Sequence, residues 1–211
     1  MEANKVYKFN FFVDFEKEEK WLEEMASKGY HLKSTSFGYR FEKGHPEVTT
    51  IKKDFRKFKK QEDFLDYRTL FEDSGWKQLV GTKSSGDQYF KKIDDSVSDE
   101  IFSDNTSKAA RYKRYSNMSF ELAFAFLPIL VAFYVTDIID FNVFVNPKEL
   151  YLTPGLWDKT GSAFWSAFLF ETPFALMRGF IWLFIPLMIV FYLIFGYQSN
   201  QLYLKSKVSE K

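Results

Sequence analysis

The strongest constraint on this chain lies in its second half, where two apolar stretches are each long enough to cross a bilayer. Residues 119–139 read SFELAFAFLPILVAFYVTDII, with Glu121 near one end and Asp137 near the other. Residues 179–197 read GFIWLFIPLMIVFYLIFGY and carry no charge. A hydrocarbon core about 30 Å thick takes roughly 20 apolar residues as helix. Two such segments exceed what the core of a 211-residue soluble chain could hide. Aromatic residues make up 20% of the chain, and those of the second half suit a lipid interface.

The flanks orient the two spans. Lys108, Arg111, Lys113 and Arg114 precede the first, and Lys205, Lys207 and Lys211 follow the second. Lys148, Lys159 and Arg178 between the spans are offset by Asp140, Glu149, Asp158 and Glu171. The positive-inside rule then predicts a multi-pass protein of the cell membrane with both termini cytoplasmic. Residues 116–204 form a membrane hairpin with outer loop 140–178, followed by a cytoplasmic tail at 205–211. Lys5, Lys8, Asp14 and the charged run 16–20 leave no signal-peptide core. Within the loop, residues 161–178 (GSAFWSAFLFETPFALMR) are apolar but interrupted by Glu171 and Pro173. They are expected in the outer interface as an amphipathic or re-entrant piece, the alternative being an extension of a long, tilted second span.

The first half reads as a small α+β domain over residues 1–92. KVYKFNFFVDF (5–15) has strand character, and Asp14 is placed to cap a helix carrying Phe15, Trp21, Leu22, Met25 and Ala26 at helical spacing. Glu16, Lys17, Glu19, Lys20, Glu23 and Glu24 are assigned to its solvated side, as is the Glu18-Glu19 pair, and Gly29 ends it. Residues 30–44 and 47–58 are strand-like, 62–74 a second helix closed by Gly75, and 76–82 with 87–92 a hairpin. The order is βαββαβ with one more strand, which predicts a ferredoxin-like domain. WLEEMASKGYHL (21–32) and YRTLFEDSGWKQL (67–79) each give helix, Gly, aromatic and Leu, an internal repeat. Residues 93–115 read as a flexible linker, acidic and then basic.

Little of this carries chemistry. With no cysteine and two histidines, thiolate nucleophiles, disulfides and Cys- or His-rich metal sites are excluded. Phosphate-loop, dinucleotide and zinc-protease motifs are missing, and His31 and His45 come without a nucleophile elbow. No catalytic, cofactor-binding or metal residue is assigned, and no cofactor is expected. The strongest charge feature is KKDFRKFKK, six basic residues among nine. Lys52, Lys53, Arg56, Lys57, Lys59 and Lys60 are therefore the candidate contacts for anionic lipid or a protein partner, on an exposed face or loop, because buried unpaired charge is too costly. No element suited to nucleic acid accompanies them.

Phe15–Leu22, Gly29-Tyr30, Phe41-Glu42-Lys43-Gly44-His45-Pro46 and Leu70-Phe71-Glu72-Asp73-Ser74-Gly75-Trp76 together resemble the DUF2812 family of uncharacterised bacterial proteins. Tyr30 stands where that pattern has Trp. The resemblance covers roughly residues 7–92 and implies a domain often placed before membrane spans and often encoded beside PadR-like repressors. The expected protein is a non-catalytic, membrane-anchored regulator or adaptor in an envelope-stress response, binding membrane lipid and, through its cytoplasmic domain, a protein partner, a second copy of itself or a small ligand. An accessory subunit of a membrane transporter is the alternative, and an enzyme the third reading.

Overall fold

The computed structural model describes residues 4–136 and 141–208. Helix α1 (Phe15–Ser27) starts where the sequence supplies a cap. Asp14 is extended, and its carboxylate accepts from the amides of Glu16 and Lys17 at 3.1 and 3.4 Å, satisfying donors that have no partner inside the helix. The helix stops at Gly29, whose φ of +81° places it in the left-handed region. A side chain there would come within 2.6 Å of the Gly44 carbonyl oxygen. Gly75 repeats the same φ after α2 (Gln61–Asp73).

The strands are β1 (Lys5–Lys8), β2 (Tyr30–Ser34), β3 (Tyr39–Lys43), β4 (Ile51–Arg56), β5 (Trp76–Val80) and β6 (Gly86–Lys92). They form two antiparallel three-stranded sheets, ordered β1-β3-β2 and β4-β6-β5. Each half is therefore strand, helix and two strands, with the last strand inserted between the other two. Val6 and Leu32 flank Phe41 in the first sheet; Lys53 faces Tyr89 and Gln78 faces Phe90 in the second. The internal repeat in the sequence marks these two halves, and the chain after each copy supplies aromatic residues, Tyr39 and Phe41 or Tyr89 and Phe90, to the central strands β3 and β6. The edge strands β2 and β5 lie beside each other.

Two expectations change. Residues 30–44 are a hairpin, β2–β3, because the small polar residues after Leu32 and Gly38 at φ +75° turn the chain. The pairing gives two three-stranded sheets in place of the single sheet that a ferredoxin-like order implies.

The two halves share one core. Leu22, Met25 and Ala26 of α1 pack with Leu32, Tyr39 and Phe41 of the first sheet and Ile51 and Tyr89 of the second. A smaller cluster joins Tyr67 of α2 to Trp76 and Phe90. Trp76 is buried, while Trp21 is half-buried.

Helix α3 runs without a break from Asn105 to Val135, through Pro128. Helix α4 runs from Gly161 to Val208, through Pro173 and Pro186. At 1.5 Å per residue, the 48 residues of α4 extend about 72 Å. Segment 161–178 is thus the first part of the second long helix, as in the alternative to a re-entrant piece. Residues 137–139 of the first expected span lie outside the described residues. Both helices are long and apolar enough to cross a membrane, and most of their large apolar side chains, among them Phe124, Val131, Leu187 and Ile194, are exposed.

The chain divides into two compact units, Met1–Asn117 with Tyr197–Lys211, and Met118–Gly196. The first unit extends beyond residue 92 because residues 105–117 are helical and Arg111 and Tyr112 are buried in it. In the second unit the two helices pack antiparallel. Phe126 stacks on Tyr192, and Gly196 leaves room for the Phe120 ring, which a side chain there would meet at 3.0 Å. Three short 3-10 turns at Phe141–Phe144, Pro147–Leu150 and Leu156–Asp158 connect them. Glu171 draws this connection onto α4. It pairs with Arg178 and accepts from the Thr153 hydroxyl at 2.9 Å and the Leu152 amide at 3.2 Å.

Trp76→Ala should lower the stability of the first unit by about 3–5 kcal/mol, the usual cost of truncating a buried Trp. Trp21→Ala should cost clearly less. Thermal unfolding of the full chain in neutral detergent, followed by near-ultraviolet circular dichroism, tests the order. Equal losses would contradict the packing described.

Candidate functional site

Strand β4, IKKDFR, lies at the edge of its sheet, so one row of its backbone groups has no strand partner. Such an edge is a template for unwanted pairing unless something covers it. Here side chains cover it from two helices. From α1, Glu23 accepts from the Ile51 amide at 2.9 Å and Glu19 from the Lys53 amide at 3.0 Å. From α3, Arg111 donates to the Lys53 carbonyl and Arg114 to the Phe55 carbonyl, both at 2.5 Å. The carboxylates take the amides and the guanidiniums take the carbonyls.

The side chains of β4 extend this lattice on both faces. Lys53 Nζ donates to Glu18 at 2.8 Å and lies 2.9 Å from Asp87 of β6. Glu18 also accepts from the hydroxyls of Tyr39 at 2.7 Å and Tyr89 at 2.5 Å. On the other face, Asp54 accepts from the Tyr67 hydroxyl at 2.9 Å and from Arg114 at 2.6 Å. Glu19 pairs with Arg111, with Lys52 3.6 Å away. Arg111 is completely buried. Its Nε and Nη2 have no hydrogen-bond partner, but the rings of Phe15, Phe102 and Tyr112 lie 5.2–5.5 Å from the guanidinium, where an aromatic face attracts a cation. Tyr112 stacks on Phe15, and Tyr115 meets both Phe15 and Phe55 edge-on.

The titrations follow from this closure. Burial would pull the Lys53 ammonium down, but Asp87 and Glu18 hold it above the ordinary lysine value. Burial, then the charge on Glu18, pushes the Tyr39 and Tyr89 phenols well up. Burial and Asp54 do the same to Tyr67. Burial raises the Glu19 carboxyl although Arg111 opposes it. Glu18, Lys53, Tyr39 and Tyr89 are at most 8% exposed, so what the cluster does chemically is fasten α1 and α3 to one strand. Among the described residues no group of His, Asp and Glu side chains is placed to hold a metal ion; the His31 ring meets the His45 carbonyl at 2.9 Å, within the domain's turns.

The six candidate basic residues therefore separate. Lys53 is buried in the lattice, and Lys52 is half-buried beside Glu19, which corrects the expectation of a common exposed face. The cost of burying Lys53 is met by two carboxylates. Arg56, Lys57, Lys59 and Lys60 lie around the turn into α2, and all four are exposed. Arg56 lies over the rings of Phe58 and Tyr67, 5.6 Å from each. The acidic segment after β6 makes its ion pairs elsewhere. Its Asp99 pairs with Lys92 at 2.6 Å and its Glu100 with Lys108 at 2.8 Å. Residues 105–115, expected as the end of a flexible linker, are helix capped by Asp104, which accepts from the Ser107 amide at 2.7 Å.

Sequence reading places Glu18 and Glu19 on the solvated side of α1 and assigns Asp54, Arg111 and Arg114 no part in a site, but the structure buries both glutamates. One signal was present for the glutamates. Phe15, Leu22, Met25 and Ala26 define the apolar stripe of α1, and positions 18 and 19 fall inside it at i+3 and i+4 from Phe15. A carboxylate on an apolar stripe needs a buried partner.

Arg111→Met should leave Glu19 buried without its guanidinium and cost about 3–5 kcal/mol, and Arg111→Met with Glu19→Leu should recover part of that loss. The same thermal unfolding reads both. The unit should also be base-labile. Lys53 and the three tyrosines bind their protons more tightly folded than unfolded. Their contribution is complete below the unfolded values of about 10 and is lost as pH rises toward the folded ones. Stability should be flat from about pH 7 to 9 and fall from about pH 10 upward; a fall beginning near neutrality would exclude this cause.

A family model described as "Protein of unknown function (DUF2812)" matches residues 14–124. That range takes in α1, both helices' contacts with β4, and the first turns of α3 past Arg114. No curated protein and no solved structure matches the chain significantly.

Proposed function

Since the chain belongs to the DUF2812 family, whose matched range runs from the domain into α3, we propose that it is a membrane-anchored regulatory or adaptor protein in which α3 couples the domain to the bilayer. The observation that carries this reading is Arg111. It is fully buried between Glu19 and the Lys53 carbonyl, yet it belongs to the same unbroken helix as the apolar residues up to Val135. A mere tether would need no buried arginine. A helix fixed at two arginines one turn apart passes any shift of β4 along its axis.

The two apolar helices form a membrane hairpin in this reading, with the domain and both termini on the cytoplasmic side. Basic residues before the first helix and after the second support that orientation. The split connectivity of each half supports kinship with the ferredoxin-like arrangement, in duplicated form. The basic turn Arg56–Lys60 is the surface for anionic lipid or a protein partner. Arg111 meets Lys53 and Arg114 meets Phe55, so the strand that leads into this turn is the one that α3 holds. Near an anionic leaflet each such residue contributes about 1 kcal/mol.

Two measurements test this. In intact cells, cysteines introduced by Lys59→Cys and Lys207→Cys should resist an impermeant maleimide while Thr160→Cys reacts; early labelling at position 59 would invert the topology. Affinity capture of the full chain from solubilised membranes should recover a stoichiometric protein or a second copy, with recovery reduced by Arg111→Met at a temperature where that variant remains folded. Unchanged recovery would remove α3 as the coupling element.

A further inference from the structure

Beside the start of α1, a cleft of about 620 Å³ opens within the first unit, lined by Phe11, Phe12, Asp14 and Lys17 on one side and by Tyr197, Leu202 and Lys205 of α4 on the other. Its lining combines apolar side chains with two lysines and one aspartate. Lys17 is 77% exposed and reaches Asp14 only at 4.0 Å. The amides of Glu16 and Lys17 and the Tyr112 hydroxyl, at 3.3 Å, all donate to Oδ1 of Asp14, which leaves Oδ2 on the side of Lys17. Lys205 of α4 lines the same cleft. Gln198 and Gln201 on the same wall add neutral hydrogen-bonding groups.

The chain fixes the depth of this cleft. Tyr197 is the last residue of the charge-free run 179–197, so a bilayer that takes up that run has its headgroup layer at the cleft. Tyr197 and Phe11 are both exposed there. The neighbouring loop tips are aromatic as well: Phe9 is 83% and Phe37 87% exposed. They come together at Gly38, where a side chain would strike the Phe9 ring at 2.8 Å. Aromatic side chains held out of a core in this way are unfavourable in water and suited to an interface, where they sit at the headgroup level.

The geometry points to a binding site in this cleft for one anionic phospholipid. The phosphate would lie between Lys17 and Lys205, and Phe11 and Tyr197 would pack against the glycerol region. The site rests on the membrane reading of the proposed function, and it is separate from the basic turn at Arg56–Lys60, which shares no residue with the cleft.

The experiment uses the full chain in neutral detergent, with the melting temperature of the first unit as readout. Phosphatidylglycerol should raise it by several degrees and phosphatidylcholine by much less. Glycerol phosphate, which has the charge and no chains, should leave it unchanged. Lys17→Gln with Lys205→Gln should abolish the difference between the two lipids, while Lys57→Gln, Lys59→Gln and Lys60→Gln together should preserve it. Equal shifts from both lipids, a shift from glycerol phosphate, or a difference that survives in the first variant and disappears in the second would overturn the cleft site. None of these outcomes alters the cysteine-labelling result, so failure here is distinguishable from failure of the membrane reading.

Discussion

Everything in the first unit depends on how the open edge of β4 is closed. An edge strand exposes amides and carbonyls that must find partners or remain in water. Here the amides of Ile51 and Lys53 go to carboxylates of α1, and the carbonyls of Lys53 and Phe55 go to guanidiniums of α3. Charge-assisted bonds of this kind are stronger than ladder bonds. Their donors and acceptors belong to side chains, so they fix helices as well as a strand. Lys53 then becomes possible: a buried ammonium is tolerable because Glu18 and Asp87 flank it, and Glu18 is in turn satisfied by two tyrosine hydroxyls.

The two halves of the domain solve the same edge differently. In strand order β1 is the counterpart of β4, each being the outer strand next to the central strand that comes last in its half of the sequence. But β1 has four residues, two of them lysines, and its alternate positions are exposed. A short, lysine-bearing edge discourages pairing without any cover. β4 is longer and mostly buried, so it requires the helices. The two halves share a strand–helix–hairpin plan, and α3 covers the edge of the second alone.

This asymmetry explains what could be read from the residues. Asp14, Gly29 and Gly75 act locally, through a cap and two left-handed turns, and local chemistry is legible without tertiary structure. The apolar runs are legible for the same reason, since span length is a property of the segment. The hairpin at Gly38 was hidden because residues on both sides of it favour extended backbone. The lattice was hidden for a different reason. Glu18 is 35 residues from Lys53, and Arg111 is 92 residues from Glu19. A run such as KKDFRKFKK looks like a solvated stripe until the carboxylates that neutralise its first half are brought in from elsewhere. Arg56 and the lysines at 57, 59 and 60 match the expected surface position better because they lie at and beyond the end of the strand.

The same helix that completes the lattice leads into apolar sequence, and its composition bears on how motion would pass along it. Between Arg111 and Pro128 there is no Gly or Pro, the residues at which helices bend. Arg111 and Arg114 are one turn apart and bind carbonyls two residues apart on β4. A rotation of α3 about its axis therefore strains both bonds together. A translation along the axis would carry Arg111 away from Glu19 and strand both charges in a buried site, where separation is expensive. Small displacements are resisted and large ones require the lattice to open as a whole. The bonds of Arg111 and Arg114 thus join α3 to β4 as one piece, and opening either leaves a charge without its partner at a closed strand edge.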